Sequence, residues 1–318
     1  MKNYWFGFGS ALACLLILTL FLSYTSNSDE EGGNRPHYGE GYDPAEVQNE
    51  DARQLPQIVR AAPLEDMRLC GELLSMENFD LRERLDRELL RNVYWHSSTL
   101  LILKQSRRYF PTIERILAEE GVPDDLKYLA VAESALRNAT SPAGAKGIWQ
   151  FMPATAREYD LEVTSTVDER YHLEKATRAA CQYLRRYHDR FDDWLLTMAA
   201  YNMGPGGLSG QMEKQGGESF FDLNLSEETN AYIFRIAAFK AIFENPRAYG
   251  FYLNEEDYYP PLNDYRTEEV TETINNLGDW ASEQGVSYRM LKVYNPWLVD
   301  SRLAVGRDQV YQIKVPEN

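Results

Sequence analysis

One stretch, residues 121–153 (GVPDDLKYLAVAESALRNATSPAGAKGIWQFMP), most limits what this chain can fold into. Pro123 suits the start of a helix, and Asp124 and Asp125 follow in its first turn, where the helix dipole favours carboxylates. Leu126, Leu129, Ala130 and Glu133 then recur at i, i+3, i+4 and i+7, the spacing of one helix face. The apolar stripe that must face a core therefore ends in a carboxylate. Most of the 49 acidic residues here are solvated surface charges. Burying this stripe, by contrast, desolvates Glu133, and desolvation favours the protonated form. A Glu so placed can hold a proton near neutral pH and hand it on. A Ser/Pro/Gly loop follows, then a glycine-led turn into a second helix expected over Trp149 to Tyr159.

Further motifs stand in order along the chain. Glu133-Ser134 is followed by Ser141-Pro142-Ala143-Gly144-Ala145 and by Gly147-Ile148-Trp149-Gln150-Phe151-Met152-Pro153. Ala200-Tyr201-Asn202-Met203-Gly204-Pro205-Gly206 comes next, and then Glu228-Thr229-x-x-Tyr232. This series resembles the soluble-lytic-transglycosylase domain. Its Trp-Gln-Phe-Met-Pro form is similar to the membrane-bound lytic murein transglycosylase D family.

The resemblance implies a mainly α, lysozyme-like domain acting on peptidoglycan glycan strands. It implies cleavage of the β-1,4 bond between N-acetylmuramic acid and N-acetylglucosamine without water, leaving 1,6-anhydro-muramic ends. Glu133 would be the single acid and base, and no cofactor is implied. Substrate contacts are expected from Ser134, Ser141, Gln150, Tyr201, Asn202, Glu228 and Tyr232.

Each of these residues also has a plainer reading. Ser134 and Ser141 can cap a helix and a loop. Gln150 can satisfy backbone groups, Tyr201 can be core with Asn202 as a helix cap, and Glu228 and Tyr232 can be a surface pair. Trp149, Phe151 and Met152 fit a core better than a sugar platform. A hydrolytic muramidase would need a second carboxylate. Asp160 and Asp168 are the nearby candidates, although Asp168 equally suits an ion pair with Arg170 or a helix cap. A non-catalytic wall-binding or scaffold protein is the other alternative.

Around this domain the chain divides by composition. Residues 4–24 carry no charge and would span ~31 Å as a helix, enough for a bilayer core. Lys2 precedes them and Asp29, Glu30 and Glu31 follow, so the remainder is expected outside the cytoplasm. Residues 1–26 are read as a membrane anchor, with a cleaved signal peptide or a lipoprotein through Cys14 as alternatives. The expected location is the cell envelope, as a periplasmic domain tethered to a membrane. Residues 27–62 are polar and rich in Gly and Pro, a flexible linker with an end-to-end reach of about 30–36 Å.

Residues 63–118 are expected as a helical extension, with Pro111 opening a new segment over Thr112–Glu119. Residues 119–250 form the catalytic domain. Helices are expected at Leu173–Phe191, at Asp193–Ala200 and, after a Gly-rich linker, at Glu227–Asn245 behind a Ser226 cap. Residues 251–267 read as a second linker.

Residues 268–318 order as strand (Val270–Ile274), helix (Leu277–Gln284), helix (Tyr288–Tyr294) and strand (Gln309–Val315). That βααβ order, with Tyr294-Asn295-Pro296-Trp297-Leu298, resembles a LysM module. Such modules bind N-acetylglucosamine polymers. The Gly-Asp-Thr-Leu entry of the family is replaced here by Asn275-Asn276-Leu277-Gly278, so docking on the catalytic domain is the alternative role.

The net charge of −16 argues against nucleic acid as a partner. Protein partners are not indicated. Cys70 and Cys181 can form one disulfide in an oxidising compartment or remain two buried thiols. His37, His96, His172 and His188 have no metal-ligand spacing, and no metal is expected.

Overall fold

The computed structural model describes residue 64 and residues 66–317. The expected anchor (1–26) and the expected linker (27–62) lie outside the described residues, as do Cys14 and His37. Among the described residues, no helix is long and apolar enough to cross a membrane.

A β-hairpin opens the described chain: β1 (Met67–Leu69) pairs antiparallel with β2 (Glu72–Leu74). Its turn, Cys70-Gly71, has positive φ at both residues, as a tight hairpin turn requires. Helix alone was expected here; strands this short carry too few alternations to be seen in sequence. Two long helices follow, α1 (Phe79–Tyr94) and α2 (His96–Glu119). The expected break at Pro111 is absent, and α2 runs through it. Pro111 and Arg107 are both exposed, so water can take the Arg107 carbonyl that the missing N–H leaves unbonded.

Next come α3 (Lys127–Ser134), α4 (Pro153–Glu158), α5 (Leu173–Phe191), α6 (Trp194–Met203), α7 (Pro205–Gln215) and α8 (Glu227–Glu244). Helix α5 has its expected bounds, and Ser226 caps α8 by accepting from Thr229 N. The helix expected from Trp149 begins only at Pro153. Before it, Lys146 and Phe151 bridge across a tight loop, and Gln150 is left-handed at φ +50°. The expected Gly-rich linker contains α7, which starts on Pro205 at its first turn.

Helix α8 organises the interior. Tyr232, Ile233, Phe234, Ile236, Ala237, Ala238 and Phe239 are all buried, so α8 has no solvent face along its middle. It packs against α1, α3 and α6, while α5 packs against α2 and α6. Leu195 to Ala200 of α6 are likewise buried without interruption. Removing a ring as enclosed as Phe234 would cost about 3–5 kcal/mol. Cys70 and Cys181 are separate thiols, not a disulfide: one lies in the hairpin turn, the other in the core face of α5. Burial pushes the Cys181 thiol up to about 12.

The C-terminal module comprises β3 (Tyr265–Val270), α9 (Leu277–Glu283), α10 (Tyr288–Tyr294) and β4 (Tyr311–Pro316). β3 pairs antiparallel with β4, Thr267 opposite Lys314. The first strand ends where it was expected to begin; Thr271, Glu272 and Thr273 are exposed and lie outside the ladder. Leu277, Leu291, Trp297, Leu298, Ile313 and Val315 form a second small core. Val167, from the loop ahead of α5, completes that core and is itself fully buried.

Candidate active site

Glu133 lies in the last turn of α3. The helix stops just past it because Ala135 and Leu136 both turn left-handed, at φ +54° and +55°. Two consecutive L-residues in that region cost about 1–2 kcal/mol each, so tertiary contacts must hold them there. Leu136 is fully buried, which supplies one such contact.

Helix α8 brings a hydroxyl onto the Glu133 carboxylate. Tyr232, from the middle of α8, donates its hydroxyl to Glu133 Oε1. Burial pushes the Glu133 carboxyl up to about 7; the Tyr232 bond and Arg235 pull against this, while the charge of Glu228 adds to it. Tyr201, at the end of α6, has its hydroxyl raised well above the usual range, first by burial and next by the Glu133 charge. That hydroxyl donates to Trp149 O at 2.6 Å. The Tyr201 ring meets those of Phe151 and Tyr183 at centroid distances of 6.2 and 4.9 Å.

None of the other expected residues is bonded to the carboxylate, and Ser134, Ser141 and Gln150 hold backbone. Ser134 is buried and donates to Ile148 O at 2.8 Å and Ala130 O at 3.2 Å, not to Glu133. Ser141 Oγ accepts from Ala145 N at 3.0 Å and closes the Ser/Pro/Gly loop. Gln150 Nε2 donates to Gly147 O at 2.7 Å and Ala139 O at 3.2 Å, as in its plainer reading. Asn202 Oδ1 accepts from Thr229 Oγ1 at 2.8 Å and ties the end of α6 to the start of α8. Glu228 is exposed one turn before Tyr232. Trp149 is fully buried and donates from its indole to Thr177 at 2.9 Å.

Asp168 is bonded to Arg170 and Lys146, not to Glu133. Its carboxylate receives Arg170 Nε at 2.8 Å and Arg170 Nη2 at 2.7 Å. Burial opposes its ionisation, but Arg170 and Lys146 outweigh burial and hold it below the usual carboxylate range. It also caps the short turn Glu169–Tyr171, so it is both ion pair and cap. Asp160 is exposed in a left-handed turn.

One contributor escaped sequence reading: Arg235. Arg235 lies one turn beyond Tyr232 and bonds the fully enclosed Glu88 at 3.3 Å, which Arg91 also meets at 2.9 Å. A cation in the apolar middle of the helix, between Phe234 and Ile236, was the available signal. Among the described residues no cluster of His, Cys, Asp and Glu is arranged to hold a metal ion.

The Transglycosylase SLT domain family matches residues 111–224, and the Soluble lytic transglycosylase C-terminal LysM-like domain family matches residues 266–318. The first match stops short of Tyr232, which meets Glu133 from α8. Over 313 residues the chain is 30% identical to the membrane-bound lytic murein transglycosylase D of Escherichia coli strain K12, covering 95% of this chain and 68% of that one. The 70 kDa soluble lytic transglycosylase of Escherichia coli is a structural neighbour at TM-score 0.39 and 20% identity, over 50% of this chain and 28% of that one.

Proposed function

Because the chain belongs to the membrane-bound lytic murein transglycosylase D family, and is therefore a peptidoglycan lytic transglycosylase, we propose that Glu133 alone carries the acid and base steps of its reaction. The observation that supports this reading is the Glu133 carboxyl, pushed up to about 7 by burial at the end of α3 and bonded by Tyr232. Near neutral pH such a group is a fair donor in one step and a fair acceptor in the next.

In the first step the Glu133 proton passes to the glycosidic oxygen. The bond from that oxygen to the muramic C1 breaks, the N-acetylglucosamine side leaves as an alcohol, and C1 becomes oxocarbenium-like. In the second, the muramic C6 hydroxyl gives its proton to the Glu133 carboxylate and its oxygen bonds C1. Glu133 regains its proton, and no water is consumed. The nucleophile is already on the sugar, so its effective concentration is high without a positioned water. Tyr201, Gln150 and Glu228 are proposed to line the sugar path beside Glu133.

The chain is further proposed to work in the cell envelope, on the periplasmic side, tethered through residues 4–24. The charge-free run and the membrane-bound character of the Escherichia coli relative support this. Fractionation of cells making the full chain checks it: recovery in the soluble cytoplasmic fraction would count against a tether.

Mass spectrometry of soluble products from purified peptidoglycan, with Glu133→Gln as control, tests the chemistry. Anhydro-muropeptides from the wild type only are expected. Reducing-end products would replace this mechanism with hydrolysis, and full cleavage by Glu133→Gln would remove Glu133 from it.

A further inference from the structure

The loop ahead of α4 is held from beneath by one guanidinium. Arg170 Nη1 donates to Gly144 O at 3.0 Å and to Phe151 O at 3.1 Å, and so bridges the two arms of the loop. Its other nitrogens are taken by Asp168, and both side chains are 3% exposed. Lys146, within the loop, reaches the same Asp168 at 3.3 Å. Thr140 and Tyr171 share a hydroxyl bond of 2.9 Å. Gly147 packs so closely that a Cβ there would lie 1.8 Å from Arg170 O. The same loop carries the Ile148 and Trp149 carbonyls, to which Ser134, the neighbour of Glu133 in α3, and Tyr201 are bonded.

The backbone of the same Arg170 segment is bound on its far side by the C-terminal module. Val167 bridges to Leu298. Asp168 N donates to Trp297 O at 2.9 Å, and Val299 N donates to Thr166 O at 3.1 Å. The His172 ring lies 5.9 Å from that of Trp297, and Lys314 pairs with Glu174 at 2.6 Å. Val167 is packed in the core of the module and not in that of the helical domain.

We infer that the C-terminal module takes part in turnover mechanically: it fixes residues 166–171, and Arg170, a positioning residue, transmits that order to the Gly144–Phe151 loop and so to Tyr201 and to Ser134, the neighbour of Glu133. This rests on the reading of Glu133 as acid and base. Sugar binding by the module is not required for this role. Lysine cannot replace Arg170, because one ammonium cannot meet the planar Asp168 pair and also span both loop carbonyls.

The experiment uses the full chain, with peptidoglycan turnover and hydrogen–deuterium exchange of peptides covering 139–151 as paired readouts. Arg170→Lys is expected to lower kcat at least tenfold with KM within about twofold, and to speed exchange over 144–151. Val167→Asp places an unpaired carboxylate in the module core and parts the seam. Lys314→Ala loosens the same seam mildly and keeps the test decisive if Val167→Asp does not fold. Both are expected to speed exchange over 144–151 and to lower kcat, Val167→Asp more. A folded seam variant with wild-type kcat and wild-type exchange over 144–151 would overturn the coupling. So would a folded Arg170→Lys with wild-type kcat. A purely structural role would lower melting temperature and leave kcat of the folded fraction alone. Failure of the Glu133 reading shows separately, as cleavage by Glu133→Gln, while the exchange data still judge the coupling.

Discussion

Tyr232 donates its hydroxyl to Glu133 across 99 positions of sequence, from the middle of α8 to the end of the short α3. The bond favours the ionised carboxylate, while burial opposes it. Tyr232→Phe removes the donor and leaves burial in charge. The pKa governing turnover is expected to move upward from about 7, by roughly one unit if the bond is worth ~1.5 kcal/mol. A pH–kcat profile reads this as an alkaline displacement of the optimum; an acid displacement would contradict the assignment.

Glu133 also makes stability depend on pH. Its folded pKa, about 7, lies above the ordinary 4.5, so the folded state holds the proton more tightly than the unfolded chain does. Stability from this group is fully present below pH 4.5 and is lost as pH rises towards about 7. Glu133→Gln stays neutral throughout. Its advantage over wild type in denaturant titrations should be small at pH 4 and grow to about 3 kcal/mol above pH 7. A difference that does not grow with pH would argue against the desolvated carboxylate.

Gly147→Ala tests the loop bed directly. The residue sits at φ +81°, and the added carbon would lie 1.8 Å from Arg170 O. Left-handed strain and overpacking together should cost roughly 3 kcal/mol. The melting temperature should fall, and kcat of the folded fraction should fall with it.

Asp168→Asn leaves the enclosed Arg170 charge without its partner. Breaking a buried pair from one side costs about 3–5 kcal/mol. The Asp168 carboxyl is held below its ordinary value of 3.8, so the wild-type contribution is present above that pH and lost as pH falls through the folded value. Wild type and Asp168→Asn should therefore converge in stability on acidification, measured by denaturant titration from pH 7 to pH 2.

The elements that sequence reading captured carry their signals locally. Leu173–Phe191 is strongly periodic, and Ser226 before two glutamates marks a helix start. The stripe ending in Glu133 needed only spacing. The missing parts depend on distant contacts. Gln150 is left-handed because the loop closes on Arg170 and Lys146–Phe151, and nothing near Trp149 announces that. Pro111 is tolerated because its helix face is exposed, which composition alone does not reveal. Ser134, Ser141 and Gln150 lie in matched motifs, yet their hydrogen bonds go to backbone groups of the loop and of α3. The matched residues thus include those that shape the loop as well as the carboxylate it serves.

Glu133 occupies the carbonyl end of α3 rather than its amide end. The unpaired carbonyls of a final helical turn carry partial negative charge, which disfavours a second negative charge beside them by about 0.3–1 kcal/mol. The same glutamate at the opposite end of the helix would meet amide hydrogens and ionise more readily. The direction in which an eight-residue helix runs is thus itself a setting of acid strength: a chain that reached the same point in space with its helix reversed would hold the same side chain as a weaker proton store.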